Sequence, residues 1–179
     1  FYGESLTKKL KKCVKLNIGA QVILHRVNNP SSYGVAKINN KNKIVKIIEK
    51  PKKAFSNLAV TGLYFFDNNV INYCENLKPS KRNEIEIVDL LNKYKKKKKL
   101  SAEFLGRGGA WLDTGSIKDF YNASAFVSAL EKRQGLKIAC LEEIAFNNKW
   151  IKKKNIVDAI KFYGKCNYSN YLSALIKKS

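Results

Sequence analysis

AVTGLYFFD, Ala59 to Asp67, is a run of apolar and β-prone residues closed by a carboxylate. A run of this kind, bounded by turn signals, reads as a buried strand and as the candidate centre of a sheet. Gly62 weakens such a strand and signals close approach by another group. Asp67 is placed to cap a following helix, DNNVINYCENL, whose apolar positions 70, 71, 74 and 77 share one face.

Working outward, AQVILHRV (20–27) reads as a second buried strand and NNPSSYG (28–34) as a turn or functional loop. VAKI (35–38) and KIVKIIEK (43–50) form a hairpin across four polar residues, and Pro51 ends it because it has no ladder donor. LTKKLKKCV (6–14) has the apolar spacing of a short amphipathic helix, with 6, 10, 13 and 14 on its apolar side. EIEIVDLLNKYKKK (84–97) is another helix, burying positions 87, 88, 90, 91 and 94, and LSAEFLG (100–106) is a further strand. A helix then starts at Ser116 or Asp119 and runs to about Arg133, with Gly135 as its stop. LKIACL reads as a short extended piece, and EEIAFNN, IVDAIKFYGK and YSNYLSALIKK as short helices. The pattern is α/β, with a mixed core over 1–115 and a helical C-terminal region over 116–179.

At 179 residues, 45% hydrophobic and 11% aromatic, the chain can bury one good core. It has neither a run long enough to cross a membrane nor an apolar leader, so a cytoplasmic protein is expected. Cys13, Cys74, Cys140 and Cys166 lie far apart with one histidine in the chain, which is not zinc-site spacing. The net charge of +21 opens a nucleic-acid reading. Only Arg26, Arg82, Arg107 and Arg133 are arginines, however, and lysines mixed with asparagines point to a solvated surface, so no specific nucleic acid is expected. Gly-Arg-Gly-Gly (106–109) precedes a tryptophan instead of opening a helix, so it is no phosphate loop. One histidine and no nucleophile elbow leave no Ser/His/Asp triad.

Several segments together carry a resemblance: SYG (32–34), IIEKP (47–51), AVTGLYFFD (59–67), LKPS (77–80), EIEIVDL (84–90), AWLDTG (110–115), LEKRQGLK (130–137) and CLEEIAF (140–146). In this order they resemble the bacterial glucose-1-phosphate thymidylyltransferases over essentially all 179 residues. The resemblance implies part of a nucleotide-diphospho-sugar transferase fold, a Rossmann-like mixed sheet with a helical C-terminal region. It implies a homo-oligomer, usually a tetramer, and no membrane partner. The reaction implied is attack by glucose 1-phosphate on the α-phosphorus of dTTP, giving dTDP-glucose and pyrophosphate with Mg2+ as cofactor. The product serves dTDP-deoxysugar biosynthesis, rhamnose included.

Matched positions then receive roles. Tyr33 and Gly34 resemble the sugar-pocket segment. Glu49 resembles the carboxylate that accepts from sugar hydroxyls, and Lys50 the catalytic cation on the sugar phosphate, for which a compact ammonium suits. Val60, Gly62 and Tyr64 line the same pocket, and Trp111 neighbours it. Asp113 resembles one of two catalytic aspartates that hold magnesium, a hard ligand for a hard cation. Taken without the resemblance, Glu49-Lys50 reads as a solvated strand end, Trp111 as core and Asp113 as a helix-start cap. Glu84, Glu86 and Asp89 are expected to be structural, while Arg107 and Lys137 resemble a regulatory nucleotide surface. Ser32 stands where the family commonly has arginine, and Gly109 where an aromatic is common, which is expected to loosen the surroundings of Trp111.

The phosphate loop, the thymine-reading residues and the first metal aspartate of that family have no counterpart in these 179 residues. Phe1-Tyr2-Gly3 resembles the segment just downstream of that first aspartate. The expectation is a chain that contributes sugar-phosphate recognition and one metal ligand and is inactive alone, with an exposed sheet edge. A non-catalytic remnant or subunit, and a basic nucleic-acid-binding module, remain the alternatives.

Overall fold

The computed structural model describes residues 1–3, 6–15, 18–80 and 83–178, which form two compact units, Phe1–Trp111 and Leu112–Ser179. Among the described residues the first unit contains five strands: β1 (Ala20–Arg26), β2 (Gly34–Ile38), β3 (Ile44–Glu49), β4 (Leu58–Phe66) and β5 (Leu100–Phe104). They form one mixed sheet in the order β3-β2-β4-β1-β5, with β5 parallel to β1 and the other pairs antiparallel. The opening stretch is therefore the central strand, as its apolar run implies.

Gly62 has a different cause from the one expected. β4 sets Thr61, Gly62 and Leu63 against the lone Ile23 of β1, because Val22 pairs with Tyr64 and Leu24 with Val60. The Thr61 hydroxyl donates to the Ile23 carbonyl at 2.9 Å, and Gly62 takes φ +84°. A Cβ at Gly62 meets nothing within 4 Å, so glycine serves the bulge conformation and no described group crowds it.

Three helices accompany the sheet: α1 (Leu6–Val14), α2 (Val70–Glu75) and α3 (Ile87–Lys96). Val88, Leu90, Leu91 and Tyr94 of α3 are buried in one cluster with Val22, Leu24, Ala36, Ile47 and Val60 from four strands. Each large side chain withdrawn from water here is worth roughly 1.5–3 kcal/mol. α1 inserts Cys13 into the interior and lays Lys9 and Lys12 on Glu103 of β5, at 3.7 and 2.8 Å. Val14, placed on the apolar side by spacing, is 72% exposed instead, because the helix ends there.

Asp67 does more than its expected capping role. α2 is only six residues long, and Asp67 caps its start through the Asn69 amide as expected, but the same carboxylate also reaches two distant donors. Its Oδ2 accepts from the Gly19 amide at 2.7 Å, and its Oδ1 from the Tyr94 hydroxyl at 2.8 Å and the Asn69 amide at 3.1 Å. Burial alone would raise this carboxyl, but the donors outweigh it and hold the group below its ordinary value of 3.8. Burial and the same carboxylate push the Tyr94 phenol strongly upward.

The second unit is helical: α4 (Ile117–Gln134), α5 (Leu141–Asn147), α6 (Lys153–Tyr163) and α7 (Asn167–Lys178). Ser116 caps α4 by accepting from the Asp119 amide, and Gly135 ends it at φ +68°. The segment before α5 is a turn, with Ala139 at φ +56°, where an extended piece was expected. Cys140, Ile156 and Leu172 form its buried centre. Glu142 accepts from the hydroxyls of Tyr163 and Tyr168, and Glu143 from that of Tyr171 at 2.6 Å. Burial and the Glu143 bond push the Tyr171 phenol up to about 12. No helix among the described residues is long and apolar enough to cross a membrane.

Asp67→Ala strips the acceptor from three donors and should cost roughly 2–4 kcal/mol in urea unfolding. Because the folded carboxyl lies below 3.8, its stabilisation is complete above that value and is lost as pH falls through the lowered folded value. Unfolding midpoints should therefore drop more steeply on acidification below pH 3.8 in the unaltered chain than in Asp67→Asn.

Candidate functional site

Residues predicted for the sugar pocket converge where β2 begins and β3 ends. Gly34 pairs with Glu49 across these strands, and a Cβ on Gly34 would lie 2.9 Å from Glu49 Oε2 and 3.5 Å from Val60 Cγ2. The missing side chain is what gives the Glu49 carboxylate its place. Val88 of α3 backs the same spot, 3.4 Å from that Cβ position. Tyr64, two residues beyond the Gly62 bulge, is half-buried; burial and then the Glu49 charge raise its phenol. Gly34, Glu49, Val60 and Tyr64 are therefore neighbours.

Lys50 follows Glu49 with φ +39°, a left-handed turn that takes the chain off the ladder. Its amide donates to the Tyr33 carbonyl at 3.1 Å, and its side chain is exposed. Tyr33 itself is extended and closes a 3-10 turn, Pro30–Ser32, in which Asn29 donates to the Ser32 hydroxyl at 3.3 Å. Alternation along β2 sends the Tyr33 ring to the side of the sheet opposite Gly34 and Glu49. There it meets Trp111 edge-on, with centroids 4.8 Å apart. The predicted residues thus form two groups, joined by the backbone of Tyr33 and Lys50 and not by one continuous lining.

His25 completes the second group. Its ring lies 6.3 Å from Trp111 at 75°. In the sequence it stands out only as the single histidine, set aside both as a zinc ligand and as a triad member. Alternation on β1, which places His25 on the face of Ile23 and away from Leu24, is the signal that would have set it apart. Leu105 fills the space beside Gly109, where a Cβ would lie 2.5 Å from Leu105 Cγ.

Asp113 belongs to the second unit. It is not the α4 cap, which is Ser116. Its Oδ1 accepts from the Thr114 amide at 2.9 Å. A Cβ on Gly115 would stand 3.1 Å from Oδ2, so the glycine keeps that oxygen uncovered. One open carboxylate oxygen fits a magnesium ion, which uses one or two carboxylates and takes its remaining ligands from phosphate and water. Among the described residues no group of three or more His, Cys, Asp and Glu side chains gathers at one point.

A cavity of about 310 Å³ adjoins Glu49 between β3 and α3, with Ser80, Glu86, Asp89 and Asn92 in its wall. Glu86 stands at the α3 N-cap and accepts from the Ser80 hydroxyl at 3.0 Å. A larger one, about 380 Å³, lies at the carboxyl ends of β1 and β5 and is lined by His25, Arg26, Phe104 and Arg107 among others. Apart from Arg107 and the unforeseen His25, it has no predicted site residue. Lys137 is engaged by Glu131, which also accepts from the Ile138 amide at 3.0 Å.

The nucleotidyl transferase family model matches residues 1–129. The glucose-1-phosphate thymidylyltransferase of Neisseria meningitidis is 43% identical over 178 residues, 99% of this chain and 62% of the relative. That of Mycobacterium tuberculosis is 40% identical over 179 residues, 100% of this chain and 62% of the relative. Among solved structures, a Bacillus anthracis protein described as a glucose-1-phosphate thymidylyltransferase, in complex with sucrose, is 36% identical with a TM-score of 0.61, covering 70% of this chain and 50% of that one. A UDP-glucose pyrophosphorylase complexed with UDP-glucose is 30% identical with a TM-score of 0.55, covering 72% and 47%. The chain spans about 62% of the length of the first two relatives. With the mixed sheet already in place and the family match running from its first residue past the last strand, this chain belongs to the nucleotidyl transferase family.

Proposed function

We propose that this chain supplies the sugar-phosphate side of a glucose-1-phosphate thymidylyltransferase. The observation that carries the reading is the paired Gly34 and Glu49, with Lys50 next in the chain. The glycine makes room for a carboxylate that only accepts hydrogen bonds, as polyol hydroxyls require. The exposed ammonium of Lys50 stands one residue away as a point charge for the sugar phosphate. Such an arrangement holds the sugar by one end and its phosphate by the other, so that a phosphate oxygen is presented as nucleophile.

In the proposed reaction that oxygen forms a bond to the α-phosphorus of dTTP. The bond from the α-phosphorus to the bridging oxygen breaks, and pyrophosphate leaves with the electron pair. Magnesium, when bound, neutralises phosphate charge. Asp113 offers it one carboxylate oxygen, while Gly115 leaves that oxygen accessible. The remaining nucleotide contacts are assigned to the part of the relatives' length that this chain does not span. The complete enzyme is proposed to work as a homo-tetramer that forms dTDP-glucose for deoxysugar synthesis.

The purified 179-residue chain should bind glucose 1-phosphate saturably yet release no pyrophosphate from dTTP. Sustained release by this chain overturns the division of labour, and absent sugar-phosphate binding favours the non-catalytic remnant. Gly34→Ala should weaken glucose 1-phosphate binding roughly tenfold or more, since the new methyl displaces the carboxylate. In a protein spanning the relatives' full length, Asp113→Ala should lower turnover by roughly a hundredfold or more. Its urea midpoint should stay unchanged, and an equal loss of both would mark Asp113 as structural.

A further inference from the structure

We infer that His25 is a positioning residue for the sugar-phosphate pocket, acting through Trp111 and Tyr33; this rests on the pocket reading above. The contacts run in series. The His25 ring stands edge-on to Trp111 at 6.3 Å and 75°, and Trp111 stands edge-on to Tyr33 at 4.8 Å and 61°. Offset and edge-to-face rings at 4.5–7 Å attract one another and resist rotation of the middle ring. All three residues are half-buried, so each ring has a packed side that limits its rotamers.

Tyr33 passes the constraint through the sheet. Its carbonyl accepts the Lys50 amide at 3.1 Å, and its neighbour Gly34 leaves the space into which Glu49 Oε2 projects. Moving Tyr33 moves both the point from which the Lys50 ammonium extends and the floor beneath Glu49. His25 is fixed on β1 opposite Ala59 of the central strand, one pair beyond Leu24–Val60, which borders the bulge. It therefore references Trp111, the last residue of the first unit, to the paired strands β1 and β4. His25 bears on the pocket through its ring contact with Trp111, so its effect falls on positioning and not on the chemistry itself.

The test uses the 179-residue chain carrying Trp150→Phe, which leaves Trp111 as the single indole. His25→Ala should change the Trp111 emission and near-ultraviolet dichroism, keep the far-ultraviolet helix and strand signal, and weaken glucose 1-phosphate binding roughly three- to tenfold. His25→Phe, which keeps a ring at the same place, should restore both the Trp111 signal and the affinity. An unchanged indole signal or an unchanged affinity in His25→Ala overturns the positioning role, as does failure of His25→Phe to restore them. Absence of saturable glucose 1-phosphate binding by the unmutated chain instead overturns the pocket reading, and the role of His25 in it falls with it.

Discussion

The buried carboxylate of Asp67 is the constraint on which the first unit depends. It stands at the end of the central strand and accepts from the Gly19 amide at the entry to β1 and from the Tyr94 hydroxyl on α3. Three elements distant in sequence are thereby held at one point. A charge taken out of water survives only with donors of this kind, and each becomes costly to lose once the others are in place. Because Tyr94 is anchored, α3 lies in one register on the sheet, and Val88 comes to rest behind Gly34 and Glu49. The pocket inherits its geometry from a group that never faces a ligand.

Space, more than charge, organises the candidate residues within each unit. Gly34 makes room for Glu49, Gly115 keeps Asp113 Oδ2 open, and Gly62 lets β4 bulge beside Tyr64. The first two work because a methyl group would crowd a carboxylate, the third because the backbone turns through positive φ. A chain with a charge of +21 has cations everywhere on its surface, so the scarcer resource is a carboxylate held in a fixed place. Lys50 gains meaning from its neighbour Glu49 and from its left-handed backbone, not from being one more lysine.

Much of the fold was legible because burial imposes periodicity. The apolar run at Ala59–Phe66 named the central strand, and the polar turn before Ile44 named the hairpin. Ser116 and Gly135 marked the ends of α4 through cap chemistry that acts within a few residues. Local signals misled where a distant partner competed for the same group. Asp67 reads only as a cap and does accept the Asn69 amide, yet Gly19 and Tyr94 also claim it. Gly62 looked crowded because glycine in a strand often is, yet its role is a bulge. His25 stayed unremarked because nothing beside it in sequence bears on Trp111.

The sequence by itself determined the alternation of strands and helices, the helical C-terminal region, and the family motifs in which Glu49, Lys50 and Asp113 lie. These depend on residue type and short spacing, which a linear chain states directly. Only the tertiary structure decided that Gly34 yields its space to Glu49, that Ser116 and not Asp113 caps α4, and that Tyr33 and Trp111 lie across the sheet from the carboxylate with His25 behind them. The physical reason is that strand register and side alternation fix which groups meet, and register is set by pairing between segments far apart in the chain.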